Sequence, residues 1–167
     1  MARVALLLGG NLGDVKRTLQ TAQQLINSRV GAVLRCSHRY ESESWGFRST
    51  DRFSNQALEV STDLTPYEVL DACQAIEREL GRNRAAEAVE KASSGVPYCS
   101  RPIDIDLIFY DDEVLSDERL TLPHPRLAER EFALVPLNEI MRQRRHPVTG
   151  QTIGEMLSTL RNAQTEQ

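Results

Sequence analysis

The sequence predicts an α+β fold in which helices pack on a mostly antiparallel sheet. Two observations predict it. Apolar runs of strand length alternate with stretches whose apolar residues recur at helical spacing, and the resulting order is strand, helix, strand, strand, helix, strand. At 167 residues the chain has the length of one domain, residues 1–167, with enough length for a single sizeable core. No internal repeat, linker or low-complexity tract divides it.

Residues 3–8 read as a buried strand ending in a glycine turn, where Gly9, Gly10, Asn11 and Gly13 follow. Val15, Leu19, Ala22, Leu25 and Ile26 then follow helical spacing. Residues 33–40 read as a second strand, and the polar stretch ESESWGFRSTD, residues 41–51, as an ordered loop. Residues 53–61, FSNQALEVS, alternate well enough for a third strand. Thr65 then caps a helix, with Pro66 at its first position and Glu68 three residues after the cap. Val69, Leu70, Cys73, Ile76 and Leu80 supply the apolar stripe, and Gly81 closes the helix. Residues 83–100 give weak signals; a long loop inside a compact domain is often functional, which makes this segment the candidate for a mobile lid. The aspartate strand, within residues 101–112, comes fourth, followed by a turn at Asp111 and Asp112 and a short strand near residues 113–115. Thr152 and Glu155 repeat the capping pattern and start a last helix, with Met156, Leu157 and Leu160 on one side. This order resembles the split βαβ arrangement of ferredoxin-like domains.

Composition excludes several classes. With 40% apolar and 26% charged residues, the chain reads as an ordinary globular protein. A formal net charge of −4 gives no support to a nucleic-acid partner. Cys36, Cys73 and Cys99 are odd in number and widely spaced, matching neither a disulfide framework nor a zinc pattern. Thiols of that kind suit a reducing compartment, so a cytoplasmic location is expected. No run approaches the roughly 18 apolar residues of a membrane helix, so no membrane partner is expected. An edge strand would serve a monomer or a homodimer equally well.

Chemistry concentrates in RPIDIDLIFYDD, residues 101–112. In a strand, Ile103, Ile105 and Leu107 share one face while Asp104 and Asp106 share the other, their Cα atoms roughly 6.6 to 7 Å apart. Carboxylates that close repel unless positive charge lies between them, and magnesium, commonly held by one or two carboxylates plus substrate phosphates, answers that need. An exposed strand face with alternating acids is the other reading of the same pair. Arg82 and Arg84, in GRNR, read either as phosphate clamps or as a solvated helix end. His124 lies between two prolines that fix the backbone around it, and Arg126 and Arg130 follow four apart. For His124 the alternative is a turn-capping imidazole, and for the arginines a surface pairing with Glu129 or Glu131.

GGNLGD near the start, Tyr40, FSNQALEV, QAIERELGRNR, SRPIDIDLIFYDD and LTLPHPRLAEREFALVPL occur in an order that resembles the 6-hydroxymethyl-7,8-dihydropterin pyrophosphokinase family. The family signature R-x-x-D-[LIV]-D-[LIV]-[LIV] is met by Arg101, Asp104, Ile105, Asp106, Leu107 and Ile108. The resemblance implies transfer of pyrophosphate from ATP, the co-substrate, to a pterin alcohol, with two Mg²⁺ ions held by Asp104 and Asp106. It implies that Arg82, Arg84 and Arg101 act on the phosphates as catalytic residues. On the ATP side it implies Gln74, Glu77, Leu107, Arg119, Thr121, His124 and Arg130. For the pterin it implies Phe53 and Phe132 against the ring, Asn55 on its amide edge, and the neighbourhood of Ser42, Glu43 and Trp45. The chain departs from the family's pattern at Pro97 and Cys99, at Glu43 and Ser44, and in the length of the segment between Arg84 and Arg101.

Overall fold

A computed structural model of the chain describes residues 1–42, 53–82 and 102–165. Strand β1 (Ala2–Gly10) runs into helix α1 (Val15–Arg29), which returns to β2 (Ala32–Cys36), β3 (Tyr40–Ser42) and β4 (Phe53–Thr62). Helix α2 (Pro66–Glu79) and β5 (Asp104–Tyr110) follow, then a small ladder of β6 (Leu115–Ser116) and β7 (Thr121–Leu122). A 3₁₀ turn (Leu127–Glu129) leads into α3 (Glu131–Met141), and α4 (Ile153–Thr165) comes last.

The main sheet has the order β2-β4-β1-β5, with β3 pairing the far end of β4, and every pairing is antiparallel. Two βαβ units therefore interleave: β1 and β2 run parallel with β4 between them, and β4 and β5 run parallel with β1 between them. This is the ferredoxin-like arrangement that the element order predicted. Both connecting helices lie on one face, over Val4, Leu6 and Leu8 of β1, Leu58 and Val60 of β4, and Ile105 and Leu107 of β5. The turn from α1 into β2 runs so close to β4 that a Cβ at Gly31 would lie 2.0 Å from the Ser61 carbonyl oxygen.

The opposite face is also covered. Ala5, Leu7, Ala57, Ile108 and Phe109 pack under α3 and α4, so β1 is buried on both sides. That accounts for its continuous apolar run, since a strand covered on both faces has no polar side to show. The helix α3 was not expected from sequence. Its segment EFALVPLNEIM buries Ala133, Leu134, Leu137, Ile140 and Met141 at helical spacing, but carries an interior proline, Pro136, which reads as a break.

Three other expectations shift. Gly9 and Gly10 do not form the turn; they stay in β1, opposite Asn55 and Ser54, and the chain turns later, where Gly13 has φ +69°. The second strand, expected over 33–40, breaks into β2 and β3. Ser37 donates its N–H to the Ala57 carbonyl at 2.9 Å and accepts the Ala57 N–H on its hydroxyl at 2.9 Å, so a side chain replaces one rung of the ladder. The short strand near 113–115 lies at 115–116. Both capping boxes form: Thr65 with Glu68, and Thr152 with Glu155 at 3.1 and 3.2 Å. The expected loop at 41–51 and the lid at 83–100 lie almost wholly outside the described residues. Among the described residues no helix is long and apolar enough to cross a membrane.

Candidate active site

The apolar cluster under α3 and α4 ends before the sheet face does. Residues directly opposite one another in antiparallel strands share a face, so the register sets out the side chains row by row. In one row Ala57, Leu7 and Asp106 are neighbours; in the next, toward the open end, come Tyr40, Asn55, Gly9 and Asp104. The following row holds Ser42 and Phe53. The apolar face thus turns polar within two residues along each strand. Gly9 matters for that row: a Cβ there would lie 2.8 Å from Asn55 Oδ1.

Asp104 is held from the α2 side. That helix ends in a Schellman motif, with Gly81 at φ +99° donating to the Arg78 carbonyl at 3.1 Å and Arg82 donating to the Glu77 carbonyl at 3.0 Å. The turn folds Arg82 back over its own helix, where Nη1 donates to Glu77 Oε2 and to Asp104 Oδ1, each at 2.7 Å. Glu77 Oε2 also accepts the Ile105 backbone N–H at 2.9 Å. The Glu77 side chain is 1% exposed and that of Arg82 5%, so this is a buried ion pair tying the helix end to the aspartate strand.

Asp106 is pushed up to about 8, chiefly because burial penalises its charge and next because Asp104 repels it; Arg130 opposes the shift, Glu77 adds to it, and Arg82 opposes it. Its edge still meets solvent, but protein crowds the carboxylate on all sides and that crowding governs its ionisation. His124 is pushed down to about 4, first by burial and then by Arg130, against the pull of Asp104. It is neutral at pH 7. Its Nδ1 accepts the Arg126 N–H at 3.4 Å, which leaves the proton on Nε2.

Beside the polar row lies a cavity of about 550 Å³. Tyr40, Ser42 and Asn55 form one wall, and Arg130, Phe132 and Val135 another. Arg130 stacks its guanidinium over the Phe132 ring at 5.5 Å, and Asn55 Nδ2 lies 3.5 Å from Ser42 Oγ.

The chain matches the family model described as 7,8-dihydro-6-hydroxymethylpterin-pyrophosphokinase (HPPK) over residues 5–142. It belongs to the HPPK family. It is 42% identical over 142 residues to the 2-amino-4-hydroxy-6-hydroxymethyldihydropteridine pyrophosphokinase of Porphyromonas gingivalis, covering 84% of this chain and 91% of that protein. With the enzyme of the same name from Methylorubrum extorquens it shares 37% identity over 161 residues, 96% of this chain and 94% of the relative. A Plasmodium falciparum HPPK-DHPS crystal structure with pteroate matches with a TM-score of 0.79 at 15% identity, covering 99% of this chain and 45% of that one. That likeness establishes the fold alone, and this chain spans less than half of that structure.

The HPPK resemblance implies magnesium at the aspartate pair. Among the described residues no group of three or more His, Cys, Asp or Glu is placed to hold a metal. Two hard carboxylate oxygens, crowded until one of them resists ionising, nevertheless fit a cation that takes its other ligands from substrate phosphates and water.

Of the expected site residues, Asp104, Asp106, Arg82, His124 and Arg130 converge on one end of the sheet, and Asn55, Ser42 and Phe132 line the adjoining cavity. Phe53 shares their face by alternation. Gln74 lies half-buried on α2 and Thr121 half-buried on β7. Arg119 pairs with Asp71 and stacks over Tyr67 at 5.4 Å. Glu77, expected toward ATP, has Oε2 engaged by Arg82 and the Ile105 N–H, and the Leu107 side chain lies in the α1/α2 core at 6% exposure. Arg84, Arg101, Glu43 and Trp45 lie outside the described residues. Sequence reading missed Val135 and Gln164 as cavity residues; both belong to helices whose packing against the sheet had no local signal in the strands they cover.

Proposed function

We propose that this chain transfers the pyrophosphoryl group of ATP to the hydroxymethyl oxygen of 6-hydroxymethyl-7,8-dihydropterin, releasing AMP, as a step of cytoplasmic folate biosynthesis. The observation that carries the reading is the juxtaposition of two same-face carboxylates with a cavity lined by Asn55 and Phe132, at one end of a sheet face.

In the reaction, the pterin hydroxyl oxygen forms a bond to the β-phosphorus, the bond from that phosphorus to the α–β bridging oxygen breaks, and AMP leaves with the electron pair. The hydroxyl proton is lost. Asp104 and Asp106 would hold two magnesium ions, which when bound supply charge neutralisation for the phosphates and acidify the attacking hydroxyl. Arg82 fixes the rotation of the Asp104 carboxylate through its 2.7 Å hydrogen bond, and Glu77 fixes Arg82. Neutral His124, with its proton on Nε2, serves as a hydrogen-bond donor to phosphate oxygen, and Arg130 adds positive charge beside it. Arg84 and Arg101 would complete the cationic set. Phe132 offers one ring face, Phe53 the other, and the Asn55 amide matches the donor and acceptor edge of a pterin. The half-buried and buried thiols Cys36 and Cys73, both unpaired, support the cytoplasmic assignment.

Phosphorus NMR of the protein with ATP, magnesium and the pterin alcohol tests this. AMP and a pterin diphosphate should grow together. Free pyrophosphate as product, or ATP loss that does not depend on the pterin, would overturn the assignment.

A further inference from the structure

The two walls of the 550 Å³ cavity stand on different elements, Tyr40 and Ser42 on β3 and Phe132 and Val135 on α3. Their separation is fixed by a residue outside the lining. Glu139 lies four residues beyond Val135 and seven beyond Phe132, hence on the same side of α3. Its carboxylate accepts the Tyr40 hydroxyl at 2.6 Å and the His38 backbone N–H at 3.0 and 3.2 Å on its two oxygens. The His38 ring adds a contact from Nδ1 at 3.1 Å. Burial pushes the Glu139 carboxyl up, but the hydrogen bonds from Tyr40 and His38 outweigh it and hold the group below its ordinary value. The acceptor is therefore charged at neutral pH, which makes these bonds stronger than neutral ones.

We infer that Glu139 is a positioning residue for the ring-binding cavity: by fastening His38 and Tyr40 to α3, it sets the gap between the walls and so the fit for a flat heteroaromatic ring. The inference rests on the proposed reading of that cavity as the pterin site. Tyr40 is the direct link, because its ring lines the cavity while its hydroxyl is tied to the helix. Among the described residues the hydrogen bonds of this fastening run between Glu139, His38 and Tyr40, apart from those that Arg82 makes with Glu77 and Asp104, so its loss acts on one substrate only.

Steady-state kinetics of Glu139→Ala, Glu139→Gln and Tyr40→Phe test it. Glu139→Ala should raise KM for the pterin alcohol about tenfold, the cost of a charged hydrogen bond, with KM for ATP and kcat held within about twofold. Glu139→Gln, of the same size and with one acceptor oxygen, should recover part of the loss, and Tyr40→Phe should shift the same constant by a smaller factor. Hydrogen exchange over residues 38–42 should quicken in Glu139→Ala while β1 is unaffected. An unchanged pterin KM in both Glu139→Ala and Tyr40→Phe, or equal losses for both substrates, overturns the inference. If the wild-type protein does not turn over the pterin alcohol, the functional reading falls on its own, and unchanged exchange over 38–42 in Glu139→Ala still overturns the fastening.

Discussion

Replacing Glu77 by Ala should cost the fold far more than it costs any contact with substrate. In the structure the side chain is 1% exposed, and one oxygen, Oε2, serves both Arg82 Nη1 at 2.7 Å and the Ile105 N–H at 2.9 Å. Removing one partner of a buried pair typically costs about 3–5 kcal/mol, because the remaining charge stays desolvated, and Arg82, which keeps Asp104 as an acceptor, puts this case at the low end. A buried N–H deprived of its acceptor costs about 1–3 kcal/mol, but both losses come from one carboxylate and overlap, so about 4 kcal/mol is expected in total. For a chain of this size each kcal/mol lowers the melting temperature by about 2–4 °C, which places Glu77→Ala roughly 8–16 °C below wild type. Urea titration followed by circular dichroism measures the free energy, and a thermal scan the shift. Glu77→Gln retains an acceptor for Ile105 and should lose about half as much. Replacing both ends of the pair, Glu77→Leu with Arg82→Met, should regain stability over Glu77→Ala while abolishing activity, since Asp104 loses the donor that orients it. A Glu77→Ala loss below about 1 kcal/mol would refute the reasoning, because a surface-type ion pair is worth no more than that.

Asp104→Asn and Asp106→Asn should each lower turnover by about 10²–10³-fold or more with little change in fold, measured as AMP release. The Asp106 carboxyl, raised to about 8 in the metal-free protein, gives a stability term that is full below its unfolded value near 4 and is lost as pH rises through about 8. Wild type should therefore lose melting temperature relative to Asp106→Asn between those pH values, and magnesium with ATP should remove the difference; parallel curves would refute the shift. Gly31→Ala should destabilise by about 1–3 kcal/mol or more, since its Cβ would meet the Ser61 carbonyl at 2.0 Å and backbone on both sides must move. Gly150→Ala, at φ +77° with open space around it, should cost only about 1 kcal/mol, and equal losses at the two positions in urea titrations would show that crowding at Gly31 is relieved elsewhere.

Where local chemistry determines structure, the sequence was legible. Thr65 with Glu68 and Thr152 with Glu155 are reciprocal hydrogen-bond pairs three residues apart, so their helix starts could be read without knowing what the helices pack on. The alternation of Ile103, Asp104, Ile105 and Asp106 likewise set the aspartates on one face, and β5 places them there. The break at Ser37 was not legible, because it depends on a hydroxyl reaching the Ala57 N–H of another strand. Helix α3 was not read either: Ala133, Leu134, Leu137, Ile140 and Met141 recur at helical spacing, but Pro136 in the middle of the stripe argues against a helix. The tie between Glu77 and Arg82 was not legible for a related reason, since it depends on the Schellman turn that folds Arg82 back on the helix.

The location of the site follows from the way the two sheet faces are closed. On the first face α1 and α2 are built into the βαβ units, so their apolar cover runs along the strands as far as Leu8 and Ile105. The second face is closed by helices that come after the last strand of the sheet, and the apolar cluster under them ends on β1 and β4 at Leu7 and Ala57. One row further stand Tyr40, Asn55, Gly9 and Asp104, where the polar side chains have partners: Tyr40 is tied to Glu139 of α3, buried Asn55 reaches Ser42, and Asp104 is held by Arg82. The strand periodicity of two then does the rest. An acid placed at 104 or 106 takes the same face as the cavity beside the polar row, whereas the same acid at 105 would enter the core, where Ile105 is 6% exposed. Moving the pair by a single residue would therefore not weaken the site by degrees; it would put two carboxylates under α2 and leave two isoleucines on the face of the polar row.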